Sequence, residues 1–200
     1  VYVAPSSRFD RESSHGDDRY YHLILLAENN TGYSNLMKIV SIGYTEGYYY
    51  RPRVDFETLE KYHEGLICLS ACLAGEIPRY IVRGFYEEAK KVAIKYCDCF
   101  GKDNFFLELQ DHGISDQKLV NQQLLRMSEE LGIGLVCTND CHYTYETDVE
   151  AHDVLLCIQT GKKVMDEDRM RYEGGQFFVK SEAQMRALFG YATQAVDNTQ

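Results

Sequence analysis

Four apolar runs constrain this chain most: Tyr21–Ala27, Leu66–Ser70, Phe105–Gln110 and Ile133–Cys137. Each is far too short to span a bilayer and suits a buried strand. Each is followed by residues with helical spacing. Asn29-Asn30-Thr31-Gly32 opens a helix, and Tyr33, Leu36, Met37, Val40 and Tyr44 predict its inward face. Pro78 marks the first turn of a helix over Ile77–Val82. Ala89, Val92, Ala93 and Tyr96 line a longer one over Phe85–Phe100. Val120, Leu124, Met127 and Leu131 point inward from a helix starting near Ser115, and Val149–Ile158 ends at Gly161. Strands that alternate with helices define an α/β class with a mostly parallel sheet. A closed or distorted barrel fits this pattern as well as an open sheet does.

The remaining elements are shorter. Val1–Ala4 reads as a strand stopped by Pro5. Ser6–Arg19, centred on Ser13–Asp18 and including His15, lacks an apolar period and reads as a loop. Tyr48–Arg53 reads as an aromatic and basic loop, and Asp55 as the cap of a helix ending near Gly65. Gln176–Val179 reads as a strand, and Ser181 with Gln184 as a capping box. The last ten residues carry weak order signals.

The 31 acidic and 21 basic residues give a net charge of −10, which argues against non-specific DNA binding. Any nucleic-acid contact then needs a local basic patch or a bound metal. The seven cysteines are scattered and odd in number, so they predict free thiols in a reducing cytoplasm rather than a disulfide scaffold. No signal peptide is visible. The chain does not begin with Met and opens on what reads as mid-strand, so a fragment of a longer protein is expected.

In parallel α/β folds the chemistry gathers at the C-terminal ends of strands. Thr138-Asn139-Asp140-Cys141-His142-Tyr143 directly follows the run Ile133–Cys137. Asp140 and His142 are two apart and can face one point, so they suit a divalent metal or a capped turn. Cys72 follows Leu66–Ser70, as a zinc-binding thiolate or a small buried thiol. Glu108, Gln110 and His112 lie at a third strand end, where His112 reads as a loop hydrogen-bonder. His22 and His152 read as packed histidines, and His63 as solvated. Tyr48–Tyr50 beside Arg51 and Arg53 has the aromatic–basic mix of single-strand contacts, against the alternative that these tyrosines pack on a neighbour.

Several motifs, in order, carry a resemblance: VYVAP at Val1–Pro5, HLILLA at His22–Ala27, YRPRVD at Tyr50–Asp55, SACLAGEIP at Ser70–Pro78, ELQDHG at Glu108–Gly113, TNDCHY at Thr138–Tyr143 and AHDVLLCIQTG at Ala151–Gly161. Together they resemble the PHP (polymerase and histidinol phosphatase) domain of the catalytic alpha subunit of bacterial DNA polymerase III. The resemblance implies a partial, distorted (βα) barrel of the PHP type with mostly parallel strands. It implies a PHP domain over residues 1–160 and, over 161–200, its C-terminal part leading toward a polymerase core. Metal ligands carried over by motif are His22, Cys72, Asp140 and His142, with Asp140 and His142 also catalytic. The implied cofactor is a divalent metal, zinc first, with manganese or magnesium as alternatives. The family's opening His-x-His element, its following ligands and a Glu before the first strand have no counterpart here, so about half of the metal centre is missing.

The implied function is a metal-dependent phosphoesterase or 3′–5′ exonuclease module within a DNA-directed DNA polymerase, the fragment alone being inactive. The alternatives are a structural and interaction module of the same polymerase, and a free-standing PHP phosphatase. Implied partners are the rest of the alpha subunit, a DNA primer-template and other replisome subunits, with no membrane. An unpaired barrel edge also predicts self-association.

Overall fold

The computed structural model describes residues 1–11 and 19–200. The loop centre Ser13–Asp18, with His15, lies outside the described residues. The others form two four-stranded sheets around one apolar core, with strand orders β2-β1-β5-β4 and β3-β6-β7-β8.

The first sheet holds β1 (Tyr2–Val3), β2 (Tyr21–His22), β4 (Tyr48–Tyr49) and β5 (Arg51–Val54). Only β1 and β5 run parallel. The second holds β3 (Ile24–Ala27), β6 (Leu66–Leu69), β7 (Phe105–Leu109) and β8 (Gly134–Cys137). There β6, β7 and β8 run parallel, while β3 is antiparallel to β6. Three of the six described strand pairings are therefore parallel, a mixed arrangement rather than a mostly parallel one. Neither sheet closes on itself, and a (βα) barrel is not what these pairings form.

The run Tyr21–Ala27 is not one buried strand. It bends at buried Leu23, so that β2 enters the first sheet and β3 the second. Ile24 and Leu26 are 37% and 49% exposed, because β3 is an edge strand with one uncovered face. The supposed loop at Tyr48–Arg53 is a hairpin, turned at Tyr50 with φ of 60°.

Helix α1 (Asn30–Thr45) is capped by the Asn29 side chain, which accepts from Gly32 N–H at 3.0 Å. It buries Gly32, Asn35, Ile39 and Gly43, leaving Tyr33, Met37, Val40 and Tyr44 exposed. The glycines reverse the expected face. A Cβ on Gly32 would lie 1.7 Å from the Gly65 carbonyl oxygen, so the helix closes on that turn through backbone. Helix α2 (Phe56–Tyr62) is capped by Asp55, as expected.

Helices α4 (Tyr86–Phe100) and α5 (Ser115–Leu131) cover the second sheet, and α3 (Glu76–Val82) packs against both helices. Ala89, Ala93 and Tyr96 on α4, and Val120, Leu124 and Met127 on α5, are buried at the predicted positions. Helix α6 (Val149–Thr160) ends on left-handed Gly161, and α7 (Glu182–Leu188) begins with the Ser181–Gln184 capping box. Gln176–Val179 is not a strand; it makes one bridge, Phe178 to Tyr143. The supposedly weak C-terminus forms α8 (Thr193–Asp197), whose Ala195 and Val196 are buried against β8. No described helix is long and apolar enough to cross a membrane.

Candidate metal centre

The parallel strands β6, β7 and β8 end on one edge of their sheet, and their exits carry Cys72, Gln110 and Asp140. Because β3 runs the other way, its first residue Ile24 pairs with Leu69 at the end of β6. That register places His22 at the same edge. Its N–H donates to Ala74 O at 3.0 Å, and His22 bridges Gly75. The His22 Nδ1 consequently lies 3.8 Å from Cys72 Sγ.

At the β8 exit, Asp140 Oδ2 and His142 Nε2 are 3.2 Å apart. The His142 N–H donates to Phe177 O at 2.7 Å, and Asn139 Nδ2 donates to Phe178 O at 2.5 Å. These bonds pin the loop onto residues 177–178. Aromatic rings then line the His142 imidazole: Tyr172 at 4.3 Å, His152 at 5.6 Å and Phe177 at 5.8 Å between centroids. Sequence reasoning treated His152 as packing and passed over Tyr172, which lies outside any periodic element.

Electrostatics link the two pairs. Burial pushes the His22 imidazole below its ordinary pKa and the positive groups Arg79 and Arg51 add to this, while Asp140 opposes it. Burial pushes the Cys72 thiol up, and the Asp140 and Glu108 charges push it further. The thiolate therefore needs a cation to form at neutral pH.

The donor set of two imidazoles, a thiol and a carboxylate suits zinc. Tetrahedral zinc sets N···O separations of about 3.4 Å and N···S separations of about 3.6 Å. The Asp140–His142 and His22–Cys72 pairs, at 3.2 and 3.8 Å, match those chords closely. The residues fit a divalent metal as two pairs of donors. Among the described residues, no three His, Cys, Asp or Glu side chains close on one point.

Glu108 supports the edge from beneath. It is 5% exposed, its N–H donates to Ser70 Oγ at 2.8 Å, and its Oε1 accepts from Thr138 Oγ1 and from Gln110 Nε2. Burial raises its pKa, opposed by hydrogen bonding from Thr138, the Ala71 amide and Gln110. His112 is 1% exposed and stacks on Phe177 at 4.2 Å. Its N–H donates to Gln117 Oε1, which turns the Gln117 amide nitrogen toward His112 Nδ1 at 2.9 Å. The imidazole proton therefore sits on Nε2.

The two candidate nucleic-acid arginines separate. Arg53 is 3% exposed, and its guanidinium donates to the carbonyls of Gly47, Arg19, Arg8 and Asp10. It is a buried staple, not a surface contact: strand β5 turns it under the first sheet. Arg51 is exposed and lies 5.9 Å from the Tyr2 ring, which itself contacts His22 at 5.2 Å.

Fold and site together define a mixed α/β domain whose imidazole, thiol and carboxylate groups gather at one sheet edge. The chain belongs to the PHP domain family, whose model matches residues 1–112. It is similar along its whole length to DNA polymerase III subunit alpha. Identity is 48% over 199 residues in Borreliella burgdorferi, 49% over 199 in Treponema pallidum and 43% over 203 in Thermus aquaticus. Each match covers 100% of this chain, and the chain spans 17% of the length of each of these relatives.

Proposed function

We propose that this chain is the PHP module of a bacterial replicative DNA polymerase alpha subunit and carries part of a metal-dependent phosphoesterase site of the 3′–5′ exonuclease type. Similarity to polymerase alpha subunits over the full chain supports the first half and makes a free-standing phosphatase the weaker reading. The placement of the His22–Cys72 and Asp140–His142 pairs along one sheet edge supports the second.

A bound divalent ion would supply an activated water and charge stabilisation at a phosphodiester. His22, Cys72, Asp140 and His142 would hold it, with zinc favoured by the thiol and manganese or magnesium as alternatives. The rings of Tyr172, His152 and Phe177 orient the His142 imidazole, which stays open to solvent. Arg51 offers an exposed guanidinium to the phosphates of a primer strand. Residues 161–200 lead toward a polymerase core, and the other partners are the rest of the alpha subunit and the replisome. The exposed β3 face and α1 stripe make a second copy of the chain a further partner.

The second reading is a structural module with vestigial ligands, favoured by the lack of a three-ligand cluster among the described residues. Elemental analysis after a zinc soak and desalting decides between them. Stoichiometric zinc, lost in Asp140→Ala or His142→Ala, supports the metal site. Background zinc in the unaltered chain removes it.

A further inference from the structure

A carboxylate that serves stability alone uses both oxygens, because each buried acceptor left without a donor costs free energy. Glu108 does not. Its Oε2 is sealed from solvent and makes no well-formed hydrogen bond, although the Ala71 amide bears on the carboxylate. An apolar side chain of similar volume would cost less at this position.

What the carboxylate touches shows what it provides. Its Oε1 holds the Thr138 hydroxyl, two residues before Asp140. On the β6 side the Ala71 amide bears on the carboxylate, and the Glu108 backbone N–H donates to Ser70 Oγ, two residues before Cys72. Gln110 Nε2 donates both to Glu108 Oε1 at 3.2 Å and to Thr138 Oγ1 at 3.0 Å, closing a triangle over the ends of β7 and β8.

Between Ser70 and Cys72 lies Ala71, buried, with φ of 64°. A non-glycine residue in the left-handed region costs about 1 kcal/mol or more and persists only where its surroundings enforce it. The enforced turn redirects the chain after β6, and Cys72 is the residue that it redirects.

We infer that Glu108 is a positioning residue that sets the spacing between Cys72 and the Asp140–His142 pair by clamping the exits of β6 and β8. The inference rests on the reading of those residues as metal ligands, yet the clamp itself is testable without metal.

Two measurements on the full chain test it. The first is cobalt(II) titration of the unaltered protein and of Glu108→Met, which keeps the volume but removes the acceptor, followed by visible absorption. Binding at least about tenfold weaker in the variant, with thermal midpoint unchanged or raised, is the expected result. Equal cobalt affinity overturns the inference. The second is metal-free amide hydrogen exchange at Ala71, Cys72, Asn139 and Asp140. Faster exchange at both exits in the variant is expected, and unchanged exchange overturns the inference. Should the unaltered chain bind no cobalt, the metal reading fails and exchange alone decides the clamp. Should Glu108→Met not fold, Thr138→Val takes its place, since removing the clamped hydroxyl must produce the same loosening.

Discussion

His22 Nδ1 and Cys72 Sγ meet at 3.8 Å across 50 residues of chain, one from just before β3 and the other from just past the end of its neighbour β6. Antiparallel pairing of β3 with β6 makes this possible. A thiol and an imidazole so placed, both partly buried, are poor at holding their own charges and well disposed to share a cation.

Cobalt substitution gives that pair an optical signature. The unaltered chain develops a thiolate-to-cobalt charge-transfer band in the near ultraviolet, and Cys72→Ser abolishes the band. Because burial holds the Cys72 thiol protonated at pH 7, metal uptake releases a proton, which calorimetry in buffers of different ionisation enthalpy detects. Retention of the band in Cys72→Ser would assign it to another cysteine.

Asp55 makes stability depend on pH. Burial disfavours its charge, but hydrogen bonds from the Arg8 and Thr58 backbone and side chains outweigh this and hold the carboxyl below its ordinary 3.8. A depressed folded-state pKa contributes stability above the unfolded value that is lost as pH falls through the folded one. Asp55→Ala removes the α2 cap and the Arg8 partner at 2.9 Å, at a cost of about 2–3 kcal/mol. Urea midpoints should differ most at pH 7 and converge below about pH 4. A gap independent of pH would separate the cap from the charge.

The closest backbone approach predicts the sharpest steric effect. Gly32→Ala brings a methyl onto the Gly65 carbonyl, so α1 must lift from the turn before β6. A loss of about 3 kcal/mol or more is expected in denaturant unfolding. Ser41→Ala, on the exposed side of the same helix, stays within about 0.5 kcal/mol.

Arg53 and Arg51 should part in opposite directions. Arg53→Ala strips donors from four carbonyls and lowers the thermal midpoint, and Arg53→Lys does not restore it, lacking the planar fork. Arg51→Ala leaves the midpoint alone and weakens fluorescence-anisotropy binding of a short oligothymidylate at low salt. Binding unchanged in Arg51→Ala would remove that residue from the proposed nucleic-acid face.

Helices were legible wherever a full turn of core residues repeated, as in Ala89, Ala93 and Tyr96. They were misread where packing runs through glycine: the apolar stripe of α1 faces outward because Gly32 and Gly43 make the closer approach. The Asp140–His142 pair was visible because two-residue spacing at a strand end is local information. His22 entered only through family resemblance, since strand-end reasoning assumed parallel neighbours. The sequence places Glu108 at a strand end, but its grip on Thr138 depends on β7–β8 register, which no window of sequence contains. The aromatic neighbours of His142 include Tyr172 and Phe177, which contact it only after the chain doubles back.

The bend at Leu23 makes one short segment common property of two sheets. Sliding or splaying of the first sheet against the second has no slack to absorb it, since β2 and β3 are separated by a single residue. His22 is the last residue on one side of that corner, and Cys72 belongs to the other. Their separation is thus a gauge of the angle between the sheets: a body that docks on the first sheet and rotates it by a few degrees would open or tighten the ligand pair mechanically, with no relay of side chains in between.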